Sequence, residues 1–134
     1  RTLVLEDDFK SRFDDFDAQF EALISHVPED WDLLYLAGHY GNKPKERINE
    51  HVIRPDLMLT TSSYGVTARM ARIMAPHISG ASQVDHLFRG FGEENNIYIL
   101  QPRLMVQYES YSDIAGHEAN WEPCMTDVNH ENMV

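Results

Sequence analysis

The amino-acid sequence predicts an α/β domain in which a mixed sheet is flanked by helices. Two short apolar runs, at residues 2–5 and 31–37, have the length and composition of buried strands. The segment between them carries apolar residues at helical spacing. Strand, helix and strand within about 35 residues form a βαβ unit, which is the basis of this fold class.

The segment between the two runs predicts an amphipathic helix that ends near Pro28. Asp14, Asp15 and Asp17 lie in its first turns, where carboxylates stabilise the positive end of the helix dipole. We therefore interpret these three acids as structural. The apolar stripe that predicts its core-facing side consists of Phe13, Phe16, Phe20, Leu23, Ile24 and Val27.

The chain after the second strand contains shorter elements. Residues 38–51 predict a long polar loop, and residues 52–59 predict an edge strand because Pro55 lacks an N–H to donate. Residues 116–134 show little packing signal and predict a flexible tail, which we interpret as a lid, a docking arm or disorder. The remaining predicted elements are helices at 68–77 and 83–88 and strands at 97–100 and 104–107.

Composition limits the classes of function. The 134 residues suffice for one domain, and 22 acidic against 11 basic residues give a net charge of -11. This acidity argues against nucleic acid or an anionic membrane as a partner, because both need a basic footprint. A phosphorylated ligand would need a cation to offset the repulsion.

The single cysteine and the termini set further limits. Cys124 has no second cysteine with which to form a disulfide or a Cys-based zinc site. No apolar run approaches the roughly 18 residues of a membrane span, and no signal peptide is recognisable, so we expect a cytoplasmic protein without a transmembrane segment. Since Arg1 directly precedes a strand, we expect the chain to be part of a longer polypeptide.

Three consecutive carboxylates, Glu6-Asp7-Asp8, follow the first predicted strand. Alternation along an extended chain would place Glu6 and Asp8 on one side and Asp7 on the other. Two converging carboxylates suit Mg²⁺ or Mn²⁺, which take their remaining ligands from water and phosphates. The structural alternative is an acidic turn in which Asp7 or Asp8 caps the next helix.

Asp85 lies at the start of the predicted helix at residues 83–88. It has two interpretations, as a helix N-cap or as a general base with His86 as a hydrogen-bonding neighbour. The residue types alone favour the cap.

Six ordered segments resemble the motifs of glycosyltransferase family 25, which includes bacterial lipopolysaccharide glycosyltransferases and procollagen galactosyltransferases. The resemblance runs from Leu3 to about Ile114. The segments are Val4-Leu5-Glu6-Asp7-Asp8, Trp31-Asp32-Leu33-Leu34-Tyr35-Leu36, residues 61–67 with the following helix, Val84-Asp85-His86, Tyr98-Ile99-Leu100-Gln101-Pro102, and Gln107 with Ser112-Asp113-Ile114.

The resemblance implies a GT-A type fold that transfers a sugar, commonly galactose, from a nucleoside diphosphate sugar such as a UDP-sugar. The acceptor would be a hydroxyl on a glycan or a protein, and the transfer would invert the anomeric centre. Glu6, Asp7 and Asp8 would correspond to the D-x-D-like donor site, with Glu6 and Asp8 as ligands of Mn²⁺ or Mg²⁺. Asp85 would be the general base, and His117 a further metal ligand.

The chain departs from the family in one respect. Family members have a nucleotide-binding βαβ region ahead of the acidic triplet, whereas little precedes Leu3 here. The sequence therefore leaves two alternatives open: a noncatalytic or degenerate transferase-like binding module, and a metal-dependent phosphoryl-transfer enzyme. The acidity of the chain argues against the second.

Overall fold

A six-stranded sheet forms the centre of the protein. The computed structural model describes residues 1–40, 44–56, 58–78, 84–113 and 115–126. Strands β3 (Leu33–Tyr35) and β9 (Ile97–Leu100) pair in parallel, and all other described neighbours in the sheet pair antiparallel. The fold is therefore mixed α/β with a mostly antiparallel sheet. In spatial order its strands are β1 (Thr2–Leu5), β8 (Ser63–Val66), β3 (Leu33–Tyr35), β9 (Ile97–Leu100), β6 (Val52–Pro55) and β5 (Pro44–Asn49).

Short strand pairs and helices surround this sheet. Three antiparallel pairs are β2 (Phe9–Ser11) with β10 (Met105–Gln107), β4 (His39–Tyr40) with β7 (Met58–Leu59), and β11 (Ser110–Ser112) with β12 (His117–Ala119). The helices are α1 (Phe16–Ile24), α2 (Ala68–Met74) with a 3-10 turn at Ala75–His77, α3 (Val84–Arg89) and α4 (Glu122–Met125). No described helix is both long enough and apolar enough to cross a membrane.

The predicted βαβ unit is present in a split form. Strands β1 and β3 both run antiparallel to β8, which is inserted between them, so they point in the same direction. Val66 of β8 pairs with Thr2 on one side and Leu33 on the other. The carboxyl ends of β1, β3 and β9 therefore meet at the same edge of the sheet as the amino end of β8. This edge carries the candidate site.

Helices cover both faces of the sheet. Alternation along β3 sends Leu34 to a core that includes Leu23 of α1, and sends Leu33 and Tyr35 to a core that includes Met70 of α2 and Phe88 of α3. Helix α1 begins among the acidic residues that the sequence placed in its first turns. Asp15 caps it, because its carboxylate accepts a 3.1 Å hydrogen bond from the Ala18 N–H. Burial on both faces explains the continuous apolar run of β3.

Two local predictions are wrong. The predicted loop at residues 38–51 contains β4 and β5, although residues 41–43 lie outside the described part of the chain. The predicted edge strand is β6, which is paired on both sides, by β5 and β9. A proline is tolerated there because Pro55 is the last residue of the strand, where a missing donor breaks no central pairing.

The described part of the predicted tail packs on the domain. Residues 117–119 form β12 opposite β11, and the side chain of Met125 in α4 is fully buried. The Gln107 N–H donates to Met125 Sδ at 3.4 Å, which ties α4 to β10. The flexibility of the segment stays a prediction, and residues 127–134, like residue 114 of the last motif, lie outside the described residues.

Candidate functional site

An open cleft of about 530 Å³ lies at the edge of the sheet where β1 and β3 end. Glu6 follows β1, His39 follows β3, and Thr60 and Thr61 precede β8, so the strand directions bring these segments together. Asp85 of α3 and Gln107 of β10 also line the cleft, as do Ser112 and Trp121 near the C-terminal hairpin. Polar groups from distant parts of the sequence therefore share one concave surface.

Glu6 extends the pairing of β1 by one residue. Its N–H donates to the Ser62 carbonyl at 2.9 Å, and its Oε1 accepts a 2.8 Å hydrogen bond from the Thr61 hydroxyl. Partial burial raises the pKa of the Glu6 carboxyl above its usual value, and the nearby carboxylates of Asp8, Asp7 and Asp85 raise it further, while the Thr61 hydrogen bond opposes the shift. Glu6 thus lies in a field of like charge that a cation would relieve.

Asp8 is held at the junction of β1 and the β2–β10 pair. Gln107 Nε2 donates a short hydrogen bond to its Oδ2, and the Tyr108 N–H donates to its carbonyl at 3.0 Å. Its Oδ1 is buried and accepts no hydrogen bond from the described residues. A buried carboxylate oxygen without a donor is costly unless a ligand or ion satisfies it.

Asp85 lies in the first turn of α3 and lines the cleft. Its Oδ1 accepts a 2.8 Å hydrogen bond from the N–H of His86. It is also close enough to Glu6 for their charges to interact. Asp85 is the second residue of α3 and accepts from the next N–H, so this hydrogen bond is not the N-cap bond that the sequence favoured. Its position in the cleft is compatible with a general base.

The carboxylates fit a divalent cation that brings other ligands with it. Among the described residues, no three His, Cys, Asp or Glu side chains form a ready-made metal cage. Mg²⁺ and related ions often bind one or two carboxylates and complete their coordination with water and substrate phosphates. Asp8, with its unsatisfied Oδ1, and Glu6, within the acidic cluster, suit that incomplete kind of site.

Of the predicted site residues, Glu6 and Asp85 line the cleft, whereas Asp7, Asp8 and His117 are not among its described lining residues. Asp7 is exposed in the turn after β1, and its carbonyl accepts a 3.3 Å hydrogen bond from the Tyr108 hydroxyl. His117 is exposed on β12, with its ring Nδ1 2.7 Å from the carbonyl oxygen of Glu118. It is not among the described residues that line the cleft. Its role as a metal ligand stays a prediction.

Backbone geometry shapes the floor of the cleft. Gly38 has a φ of +114°, and a Cβ there would lie 3.0 Å from Met58 Cε and 3.1 Å from the Leu59 carbonyl oxygen. Thr60 has a φ of +66°, which is uncommon for a β-branched residue. The buried Arg103 donates from Nε to the Gly38 carbonyl at 3.2 Å. Strained positions of this kind concentrate at functional sites.

His39 adds a group that the sequence analysis did not single out. Burial lowers the pKa of its imidazole below the usual value, and the charge of Arg103 lowers it further, against an opposing hydrogen bond to the backbone at Tyr40. The ring is therefore neutral at neutral pH and adds no positive charge to the cleft. Gly38, on which the predicted apolar run ends and which lies three residues after β3, was the available sequence signal, because it marks a sharp turn near a strand end.

Comparisons with protein-family models, with curated proteins and with solved structures found no match. The resemblance to glycosyltransferase family 25 therefore rests on the ordered motifs. Four of those motifs, which contain Glu6, Thr61, Asp85 and Gln107, meet at the cleft.

Proposed function

We propose that the cleft is the donor site of a metal-dependent glycosyltransferase with a GT-A type fold. The donor is a nucleoside diphosphate sugar, with a UDP-sugar and galactose as the expected case, and the acceptor is a hydroxyl on a glycan or a protein. The supporting observation is the convergence of Glu6, Asp8 and Asp85 at one sheet edge, with Asp8 Oδ1 buried and unsatisfied by the described residues. The proposal includes the cytoplasmic location expected from the sequence and, by the family resemblance, a role in lipopolysaccharide or related glycan assembly.

Glu6 and Asp8 are the residues that would hold Mn²⁺ or Mg²⁺. When bound, the ion supplies neutralisation of the charge on the leaving diphosphate. The protein orients its two carboxylates before any ligand arrives, because Thr61 holds Glu6 and Gln107 holds Asp8. Supporting hydrogen bonds of this kind fix the ligand oxygens and raise the precision of the site.

Asp85 is the proposed general base. The acceptor oxygen forms its bond to the anomeric carbon as the bond from that carbon to the diphosphate breaks, and the hydroxyl proton passes to the Asp85 carboxylate. Attack from the face opposite the leaving group inverts the anomeric centre. Because the imidazole of His39 is neutral, Glu6 and Asp85 are the charged side chains among the described residues that line the cleft.

A ligand-binding experiment tests the donor site. Mn²⁺ with UDP should raise the melting temperature of the protein more than either alone, because a ligand at 100 times its Kd stabilises by about 2.7 kcal/mol. Asp8→Asn should lose this shift, whereas Asp17→Asn, which changes an exposed acid on α1, should keep it. Absence of stabilisation by every combination of metal and nucleoside diphosphate would contradict the donor site.

Turnover distinguishes an enzyme from a binding module. Incubation with Mn²⁺ and UDP-galactose, followed by mass spectrometry of acceptor glycosides and peptides, should detect the mass of one added hexose. Donor binding without transfer to any acceptor would instead favour a noncatalytic module.

A further inference from the structure

Trp121 is the one indole or phenyl side chain among the described residues that line the cleft. It keeps 39% of its surface exposed, whereas Trp31, the other tryptophan of the chain, is 7% exposed and packs in the core. Several large apolar side chains are exposed among the described residues, but Trp121 is the exposed aromatic that lines the cleft, where its flat apolar face lies beside carboxylate and hydroxyl groups.

The surrounding structure fixes the position of Trp121. Lys10 Nζ and Glu122 Oε2 form a 2.7 Å ion pair between β2 and α4, and the buried Met125 seats α4 against β10. The Asn120 side chain accepts a 3.0 Å hydrogen bond from the Glu122 N–H. Trp121 lies between these two anchored residues, so its ring is presented to the cleft from a supported backbone.

The cleft combines this apolar surface with hydrogen-bonding groups. Glu6, Thr61 and Asp85 line the same cleft as the indole, and Ser112 adds a hydroxyl. A pyranose ring has matching halves, since one face presents C–H groups and its edges carry hydroxyls. The C–H groups bear partial positive charge and are attracted to the negative face of an aromatic ring.

We propose that Trp121 is a stacking platform for a pyranose ring, and that the cleft therefore contains a saccharide subsite. The inference rests on the proposed function in so far as the ring belongs to either the acceptor glycan or the donor sugar. It extends that function by assigning the acceptor or donor sugar to a named wall of the cleft. Trp121 is a binding residue here and takes no part in bond making.

Saturation-transfer NMR tests the platform without metal, nucleotide or turnover. The complete chain is mixed with methyl β-D-galactopyranoside or methyl β-D-glucopyranoside, and the acyclic polyol sorbitol serves as the control. We expect saturation transfer to the C–H protons on one face of the pyranose ring and no saturation transfer to sorbitol. Trp121→Leu should weaken binding about two- to tenfold, as the loss of one aromatic stacking contact would, whereas Trp121→Phe should retain part of it.

Fluorescence gives a second measurement. In a Trp31→Phe variant the tryptophan emission, excited selectively over that of the tyrosines, comes from Trp121, and a glycoside should shift or quench it. Separate titrations with methyl galactoside, with UDP-galactose plus Mn²⁺, and with UDP plus Mn²⁺ assign the ring. A response to the free glycoside supports an acceptor sugar, and a response to UDP-galactose that UDP does not reproduce supports the donor sugar.

Equal glycoside binding by the wild type and by Trp121→Leu, or no response to any sugar in either measurement, would overturn the platform. These results separate it from the proposed function. Sugar binding at Trp121 without any transfer refutes the transferase and leaves the platform, whereas sugar transfer that is unaffected by Trp121→Leu refutes the platform and leaves the transferase.

Discussion

The Thr61 hydroxyl donates a 2.8 Å hydrogen bond to Oε1 of Glu6, which joins the segment before β8 to the acid that follows β1. The two residues are 55 positions apart in the sequence. The bond favours the ionised form of Glu6, against the burial and the neighbouring carboxylates that raise its pKa. Thr61 therefore keeps Glu6 available as an anion.

Thr61→Val should weaken metal binding, and more so in mild acid. Without the donor, the pKa of Glu6 rises further and protons compete better with the cation. We expect Mn²⁺ affinity, measured by calorimetry with UDP present, to fall about tenfold at about pH 6 and less at about pH 8. Thr2→Val on the exposed edge strand is the control. Unchanged affinity at both pH values would show that the hydrogen bond is unimportant.

Glu6→Gln should stabilise the fold at neutral pH while removing metal binding. Because the pKa of Glu6 is raised above 4.5 in the fold, the folded chain holds its proton more tightly than the unfolded chain. The cost of ionised Glu6 is absent below the unfolded value and grows as pH rises through the folded value. Because Glu6 is solvent-exposed and its interactions are screened, thermal scans should show a gain of no more than about 1 °C at about pH 7 and none at about pH 4. A lower melting temperature at neutral pH would refute this.

Asp85→Asn should preserve donor binding and abolish transfer. The amide keeps the shape of the side chain but cannot accept the acceptor proton, so turnover should fall by about 10²- to 10⁴-fold. Calorimetry with Mn²⁺ and UDP measures the retained binding, and hexose transfer measures the loss. Asp17→Asn serves again as the matched control. Near-normal turnover of Asp85→Asn would mean that another group is the base.

Gly38→Ala should destabilise the fold by more than Gly116→Ala. Both glycines have positive φ, +114° and +72°, a region that L side chains rarely adopt, so both substitutions introduce backbone strain. Only Gly38 also lacks space, since its Cβ would lie 3.0 to 3.2 Å from Met58, Leu59 and Thr60, whereas no atom lies within 4 Å at Gly116. Urea unfolding compares the loss in free energy of unfolding of the two variants, and the close contacts at Gly38 should make its loss the larger. Equal urea midpoints would show that the atoms around Gly38 shift at little cost to make room for the added Cβ.

Local chemistry predicted the parts of the fold that depend on neighbouring residues. The spacing of Phe16, Phe20 and Leu23 predicted α1, and the unbroken apolar run predicted β3. The same reasoning missed β5, because Lys, Glu and Arg residues are also typical of loops. An edge strand needs only one apolar face, so its sequence carries few apolar residues. The parallel partner of β3 and the insertion of β8 depend on pairing between distant segments, which periodicity does not encode.

The sequence by itself determined that Glu6, Asp7 and Asp8 follow a strand, that the chain is acidic, and that Asp85 starts a helix. Only the tertiary structure decided which of these groups meet. It placed Glu6 near Asp85 and brought the Gln107 side chain to donate a hydrogen bond to Asp8. It also brought His39 and Trp121 into the same cleft. The physical reason is that charges and hydrogen bonds act over a few ångströms, while the strand order that sets those distances is fixed by contacts far apart in the chain.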